Sequence, residues 1–220
     1  MFIGHFAVGL GAKRAAPALS LGALILACQL ADLIWPTLVL MGVEHVAIAP
    51  GDTVVTPLRF ESYPYSHSLL GLIVWAVMAA GLYRMLRGAT LRALLVFVAV
   101  VLSHWLLDVL THRPDIPVTF SGETKLGLNL WSSLTATMAV EGAMFAIGVW
   151  LYLSATRARD RVGDYAFWGL VAFLVLTYVA NMFGPVPPSA MAVAWTAEAI
   201  WLLVFWGFWI DRHREARVPA

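Results

Sequence analysis

Long runs of apolar residues alternate with short polar stretches along the chain. Six such runs stand out, at about 17–42, 66–83, 93–111, 134–154, 165–184 and 189–210. A run of roughly 20 apolar residues can cross a bilayer as an α-helix. Spanning strands are excluded because an open sheet edge leaves backbone groups unsatisfied in lipid. The pattern predicts an all-α, polytopic membrane protein: a bundle of about six transmembrane helices in a single integral membrane domain, 1–220.

Composition supports burial in lipid. The chain is 61% hydrophobic and 12% charged, whereas roughly a quarter of a soluble domain is charged. The net charge is +1 and the basic residues are scattered, so no nucleic-acid partner is predicted. The single cysteine, Cys28, excludes an internal disulfide and is expected to be a buried core thiol.

Basic residues are biased toward one side of the predicted membrane. The two long loops, 43–65 and 112–133, hold only Arg59, Arg113 and Lys125. The other eleven lie beside or between the remaining span ends: Lys13, Arg14, Arg84, Arg87, Arg92, Arg157, Arg159, Arg161, Arg212, Arg214 and Arg217. The positive-inside rule therefore predicts a multi-pass protein of the bacterial inner membrane with both termini in the cytoplasm and the long loops outside.

Ionisable residues inside the spans are costly and usually functional. Depth can be counted from the nearest cytoplasmic charge at 1.5 Å per helical residue. On that count, roughly 24–27 Å separates the inner boundary from Asp32, His67, Asp108 and Glu141, and roughly 18–21 Å separates it from His104 and Glu198. Five helices thus bring an acid or an imidazole to one layer in the outer half, which predicts a shared site.

The sharpest local motif is His104 followed four residues later by Asp108. This spacing puts both side chains on one helix face, where together they can bind one cation such as zinc. The alternative is a histidine–aspartate hydrogen bond that only joins helices. His112 continues the stripe as a second-tier candidate, at the helix end because Pro114 disfavours helix at the preceding residue.

His67 follows Tyr63-Pro64-Tyr65 and is predicted to lie in the first turn of the second span. Its alternative is an interfacial histidine among aromatic residues. Asp32 has no lysine or arginine at its depth, so a cation or a shared proton must compensate it.

Three further candidates rank lower. Glu141 is a metal ligand, a general base or a protonated partner in a helix–helix hydrogen bond. Glu198 is a third-tier candidate, since Thr196 and Asn181 offer it neutral partners. His5 reaches the layer only if residues 2–12 turn back into the bundle as a short N-terminal re-entrant helix.

These residues also carry a family resemblance. Gly4-His5, the Asp32 segment, the box Ser66-His67-Ser68-Leu69-Leu70 and Ser103-His104 with Asp108 resemble the bacterial membrane-bound metal-dependent hydrolases. The resemblance covers about 1–145, the expected metal-site part, and leaves the helices of about 165–210 as additions. It departs from the family at Ser66, where threonine is usual, and at 112–117, where a Gly-rich stretch is commoner.

That family is distantly similar to zinc-dependent phospholipase C. The resemblance implies a divalent metal, zinc by this analogy, held by five ligands: His5, Asp32, His67, His104 and Asp108. It makes His112 and Glu141 candidates for a second metal or a base.

The leading hypothesis is a membrane-embedded hydrolase that cuts an ester or phosphoester of a lipid, a lipid-linked or a small-molecule substrate. Asp108 and Glu141 are its candidate catalytic residues, and Arg59 and Arg113 would bind a substrate phosphate. A proton or metal-ion transporter or channel is the first alternative. A non-enzymatic membrane protein with a structural metal is the second.

Overall fold

The structure is a computed structural model that describes residues 1–217. Its α-helices, in chain order, are α1 (Ile3–Ala15), α2 (Leu21–Cys28), α3 (Leu30–Leu40), α4 (Pro64–His67), α5 (Leu69–Arg87), α6 (Leu91–Thr111), α7 (Leu134–Ala155), α8 (Arg161–Phe183), α9 (Ala190–Ala197) and α10 (Ile200–His213). The strands form antiparallel pairs: β1 (His45–Ile48) with β2 (Leu58–Ser62), β3 (Ile116–Pro117) with β4 (Lys125–Leu126), and β5 (Thr156–Ala158) with β6 (Arg214–Ala216). One 3-10 turn, Leu130–Ser132, precedes α7.

Several helices have the length and composition of membrane spans. Five stretches of the described chain qualify: α5, α6, α7, α8 and the run Ala190–His213 that holds α9 and α10. Helices α2 and α3 would form a sixth, bent by 56°. Val77, Leu176 and Phe205 are 63–69% exposed, as expected of side chains that face lipid. The predicted helical bundle is present, and it is compatible with a multi-pass membrane protein.

The first predicted span, 17–42, is broken between α2 and α3 at Gln29. A carbonyl at a helix end lacks an intrahelical partner, and the carbonyl of Cys28 accepts a hydrogen bond from Nδ1 of His104 at 2.8 Å. Pro36 within α3 also has no N–H to donate to the carbonyl of Asp32. Averaged hydropathy hides this break because neither Gln29 nor Pro36 interrupts a long apolar run. As a result, Asp32 lies in the first turn of α3.

The segment before the first predicted span forms α1, and α1 lies inside the bundle. It packs along α7 and also contacts α2 and α6. A Cβ atom added to Gly148 of α7 would lie only 2.7 Å from the Cα atom of Ala7. Glycine at this position therefore allows the two backbones to approach closely. This packing carries His5 into the interior.

The apolar interior divides into two clusters. One surrounds Phe97, where α2 and α3 pack against α5 and α6, and the other surrounds Phe167, where α1 meets α7, α8 and α10. The rings of His5 on α1 and His104 on α6 stack with 3.7 Å between their centroids. The polar site thus lies where the two clusters meet.

The connections gather at the two ends of the bundle. Strands β1–β4 and the 3-10 turn lie at one end, which we call the loop end. There the amide of Val54 donates to the carbonyl of Trp131 at 3.3 Å, and the hydroxyl of Tyr63 donates to Asp115 at 2.8 Å. The two long loops therefore pack on each other. Strands β5 and β6 lie at the other end, which we call the opposite end.

Candidate metal centre

Histidine and aspartate side chains from separate helices meet in one buried space at the loop end. They are His5 in the first turn of α1, Asp32 in the first turn of α3, His67 at the end of α4, His104 and Asp108 on α6, and His112 just after α6. The four histidines and Asp108 are at most 5% exposed. The Asp32 side chain is 27% exposed and forms the accessible edge of the cluster.

Asp108 lies at the centre of this cluster. Its Oδ1 is 3.0 Å from Nε2 of His5, and its Oδ2 is 3.1 Å from Nε2 of His104. Nε2 of His67 lies 3.9 Å from Oδ2. The amino group of Met1 also approaches Oδ1, at 2.8 Å. The donor atoms of His5, His104 and Asp108 all lie within 4.8 Å of one another, a spacing that could hold a metal ion.

A second group shares one member with the first. The donor atoms of Asp32, His67 and His104 also lie within 4.8 Å of one another. Oδ1 of Asp32 is 3.4 Å from Nε2 of His67 and 3.8 Å from Nε2 of His104. Nε2 of His104 has one lone pair, so the two groups cannot each hold an ion through that atom.

The proton of His104 is fixed by its outer hydrogen bond. Nδ1 faces the carbonyl oxygen of Cys28, which can only accept, so Nδ1 carries the proton. In the neutral ring, Nε2 then presents a lone pair to the carboxylates. This Nε2 is buried and has no hydrogen-bond partner within residues 1–217.

His67 is oriented by a chain of hydrogen bonds that the sequence did not indicate. The Ser66 hydroxyl lies 2.6 Å from Oε2 of Glu44 and 2.7 Å from Nδ1 of His67. The Ser66 hydroxyl donates to the carboxylate, so it accepts from Nδ1–H of His67. Glu44 is 1% exposed and also accepts from the amides of Tyr65 and Ser66. Glu44 lies in a predicted loop and belongs to no helical or strand pattern. The sequence therefore did not identify it as part of the site.

His112 lies behind the cluster and is in neither donor group. Its Nε2 is 3.9 Å from Oδ1 of Asp108, and its Nδ1 is 3.1 Å from Asp115, which also accepts from the Tyr63 hydroxyl. Burial alone would raise the pKa of Asp115, but the hydrogen bonds from His112 and Tyr63 hold that pKa below its usual value. The Trp131 ring covers His112 with 4.1 Å between centroids.

The donor spacing fits a divalent cation. Two ligand atoms about 2.1 Å from one zinc ion lie roughly 3.0–3.4 Å apart, according to the coordination geometry. Among the five predicted ligands, the shortest nitrogen–oxygen separations are 3.0, 3.1 and 3.4 Å. Imidazole nitrogen and carboxylate oxygen are donors that zinc accepts. The buried His104 nitrogen without a hydrogen-bond partner is the kind of atom that such an ion would satisfy.

The two arginines predicted to bind phosphate are already paired. Asp52 forms ion pairs with both Arg59 and Arg113, and Arg113 also donates to Asp115 at 3.0 Å. Burial alone would raise the pKa of Asp52, but the Arg59 hydrogen bond and the Arg113 charge hold that pKa below its usual value. The Arg59 and Arg113 side chains are still 50% and 30% exposed, and phosphate binding by them stays a prediction.

The predicted glutamates differ in position. Glu141 is 1% exposed, and its Oε2 accepts hydrogen bonds from the amides of Phe2 at 2.9 Å and Gly4 at 3.2 Å. It therefore anchors the beginning of α1, next to His5. Glu198 accepts a 2.6 Å hydrogen bond from the Thr37 hydroxyl, which joins the end of α9 to α3. Neither glutamate is in the two donor groups.

Comparisons with known proteins assign no family. No family model, no curated protein and no solved structure matches the chain significantly. The resemblance to membrane-bound metal-dependent hydrolases therefore stays a prediction. The chemistry of the cluster has to be inferred from its own geometry.

Proposed function

We propose that the protein is a membrane-embedded, metal-dependent hydrolase that cleaves an ester or phosphoester of a lipid or lipid-linked substrate. The orientation of the histidine rings carries the proposal. His104 and His67 each donate through Nδ1 to an outer acceptor. Each then turns the lone pair of Nε2 toward a carboxylate oxygen, at 3.1 Å and 3.4 Å respectively. A neutral imidazole nitrogen and a carboxylate repel each other in a buried space unless a proton or a metal ion lies between them.

Zinc suits this set of donors, and the proposed ligands are those named by the sequence: His5, His67, His104, Asp32 and Asp108. When bound, a zinc ion lowers the pKa of a coordinated water and polarises the scissile group. The outer hydrogen bonds to Cys28 and Ser66 hold the two rings in the tautomer that leaves Nε2 free, a known determinant of metal affinity.

Two further features of the site concern its accessibility at Asp32 and proton transfer by Glu141. Asp32 is 27% exposed, whereas the other proposed ligands are at most 5% exposed, so Asp32 is the proposed ligand that is most accessible from outside the bundle. Glu141 is the proposed general base. Both of its hydrogen bonds to α1 are accepted by Oε2, which leaves Oε1 to take a proton.

The proposed location is the outer half of the bacterial inner membrane, on the basis of the basic-residue bias. A centre at that depth suits substrates whose head groups lie at the outer surface. An ion pathway instead needs weak sites in series across the membrane. Within the described chain, the histidine and aspartate donors lie in one layer at the loop end.

The direct test is hydrolysis by the purified protein loaded with zinc or manganese. The substrates are phospholipids and polyprenyl phosphates in mixed micelles. His104→Ala and Asp108→Ala should abolish turnover while the protein still inserts in membranes, because both remove a ligand. His45→Ala, at an exposed position of strand β1, is the matched histidine control and should retain full activity. Absence of turnover, together with metal-dependent ion flux into liposomes that the same two variants lose, would overturn the proposal in favour of a transporter.

Glu141 can be tested by two substitutions that separate its roles. Glu141→Gln keeps an oxygen that accepts from the amides of Phe2 and Gly4 but cannot take a proton. It should retain metal and lose roughly 10²–10⁴-fold in kcat, the usual contribution of a general base. Glu141→Ala should lose metal as well, because α1 is no longer anchored next to His5. Equal and mild effects of both substitutions on kcat would show that Glu141 is not the base.

A further inference from the structure

A groove opens on the side of the bundle between α6 and α7. Helix α1 packs against both of these helices, whereas α6 and α7 contact each other little, if at all, so α1 forms the floor of a gap between them. The groove has a volume of about 480 Å³ and an almost wholly apolar lining. Small residues keep it open: Gly11 and Ala12 on the floor and Ala99 on the α6 wall.

The groove leads to the candidate metal centre. Each of its three helices carries a residue of the site one turn beyond the end of the groove. Val100 precedes His104 by four residues on α6, Val8 follows His5 by three on α1, and Met144 follows Glu141 by three on α7. One helical turn corresponds to roughly 5 Å. The groove therefore ends about one helical turn from His5, His104 and Glu141.

The dimensions favour a thin occupant. From Val8 to Ala15 the floor runs for seven residues, roughly 10 Å at the rise of an α-helix. The groove is open along its side and has room for a single hydrocarbon chain, and its apolar lining matches the chemistry of such a chain.

We infer that the groove binds one hydrocarbon chain of the substrate lipid and thereby sets its ester or phosphoester against the histidine–aspartate cluster. This inference rests on the proposed hydrolase function and adds the substrate class to it: a bilayer lipid that enters sideways between α6 and α7. The chain runs from the cluster toward the opposite end, as the tail of an outer-leaflet lipid does.

The groove can be tested without measuring activity. The wild-type protein is reconstituted in nanodiscs that contain phosphatidylglycerol with a photoreactive diazirine midway along one acyl chain. After illumination, adducts are mapped by peptide mass spectrometry. We expect adducts to be enriched severalfold on Val96, Met144 and Ile147 over Leu176 and Phe205, which are exposed elsewhere on the bundle.

Two substitutions of equal size form the matched pair. Ala99→Phe fills the groove from the α6 wall and should abolish the enrichment. Ala146→Phe lies on an exposed position of α7 outside the groove and should leave it unchanged. Both should bind as much metal as the wild type. Ala12→Leu narrows the groove from its floor and replaces Ala99→Phe if that variant does not fold.

Measurements of hydrolysis then distinguish failure of this inference from failure of the proposed function. Ala99→Phe should raise KM for long-chain esters and leave hydrolysis of short-chain esters unchanged. Adducts concentrated in the groove of a protein that hydrolyses no ester would support lipid binding and refute the hydrolase. If adducts are spread evenly over all lipid-facing helices and Ala99→Phe does not change hydrolysis, the groove does not bind the substrate chain. The proposed hydrolase function would be unaffected by that result. Groove adducts that are absent from a dimer but appear in its monomer would assign the groove to a second copy and refute the inference.

Discussion

Both ends of the bundle bury charged side chains, but they compensate them differently. At the opposite end, Arg214 is 5% exposed and pairs with Asp164 at 3.0 Å while it also donates to the Thr156 hydroxyl. Lys13 is 6% exposed, lies 3.8 Å from Asp211 and donates to the carbonyl of Leu19 at 2.6 Å. Each buried cation there has an acid and at least one further acceptor.

The cluster at the loop end is compensated differently: the amino group of Met1 lies 2.8 Å from Oδ1 of Asp108, and the other partners of Asp32 and Asp108 are imidazoles. The carboxylates of Asp32 and Asp108 face imidazole nitrogens, and two of these rings, His67 and His104, carry a proton on the far side. Nε2 of His104 is buried with no hydrogen-bond partner among residues 1–217. Buried polar groups are normally satisfied, and a group left unsatisfied in a native structure calls for an ion, a water or a catalytic role.

The comparison distinguishes buried charges that stabilise the fold from buried charges that are proposed to bind a metal ion. The ion pairs of the opposite end are complete without a ligand, so their removal should change only stability. The cluster at the loop end is the proposed metal site, so removal of one of its side chains should change metal binding first. Three sets of variants test that division, and they follow in order of decreasing expected effect.

The largest effect is expected from His104→Ala or Asp108→Ala at the loop end. Wild-type protein should retain zinc after dialysis, and both variants should lose it. A bound metal at 1,000 times its dissociation constant stabilises the fold by about 4 kcal/mol. Chelator should therefore lower the unfolding temperature of the wild type and have no effect on the two variants. Elemental analysis and thermal unfolding with and without chelator measure both quantities.

Arg214→Gln is the control from the opposite end. It should lower stability and leave zinc content and the chelator effect unchanged. Zinc-free wild-type protein after loading, or equal chelator sensitivity in His104→Ala, would contradict the division between the two ends.

Part of the candidate site can be predicted from the sequence. The spacing of His104 and Asp108 needs only helical periodicity, and the structure brings both together with His67 and Asp32. The depth count also placed Glu141 and Glu198 in the same layer. Depth alone does not fix which way a side chain faces around its helix, and Glu198 instead contacts Thr37.

Other parts of the site depend on contacts that local patterns do not encode. His5 reaches Asp108 because Gly148 lets α1 approach α7, a contact between residues far apart in the chain. Glu44 reaches Ser66 because the β1–β2 hairpin folds back on α4. The pairing of Arg59 and Arg113 with Asp52 likewise depends on how the two loops pack. Family membership and membrane orientation stay predictions.

The second effect concerns Lys13 and Asp211 at the opposite end. Lys13→Met leaves the Asp211 carboxylate without its cation, and Asp211 is only 20% exposed. Breaking a pair that is buried to this extent should cost about 2–3 kcal/mol, somewhat less than a fully buried pair. The double variant Lys13→Met with Asp211→Asn should regain more than half of that loss, because no unpaired charge remains and the amide oxygen can still accept from Gly22. Denaturant unfolding measures the stability. A change in zinc content in either variant would contradict a purely structural role.

The smallest effect is expected at Ser66, which links Glu44 to His67. Ser66→Ala removes the acceptor for Nδ1–H, so the His67 ring is no longer held with Nε2 toward Asp32. Loss of such an outer hydrogen bond typically lowers metal affinity by about 10–100-fold, which corresponds to about 1.4–2.7 kcal/mol. Competition with a chromophoric chelator measures the zinc affinity.

Ser68→Ala provides a control two residues away. The Ser68 hydroxyl is equally buried, but it caps α5 by accepting from the amide of Gly71 at 2.9 Å. Its loss should cost about 1 kcal/mol of stability, as N-cap replacements do, with unchanged zinc affinity. Ser66→Thr keeps the hydroxyl and should restore the affinity. If Ser66→Ala and Ser68→Ala lower zinc affinity equally, the effect comes from general loosening of α4 and α5, and the hydrogen-bonded chain from Glu44 does not orient the metal ligand.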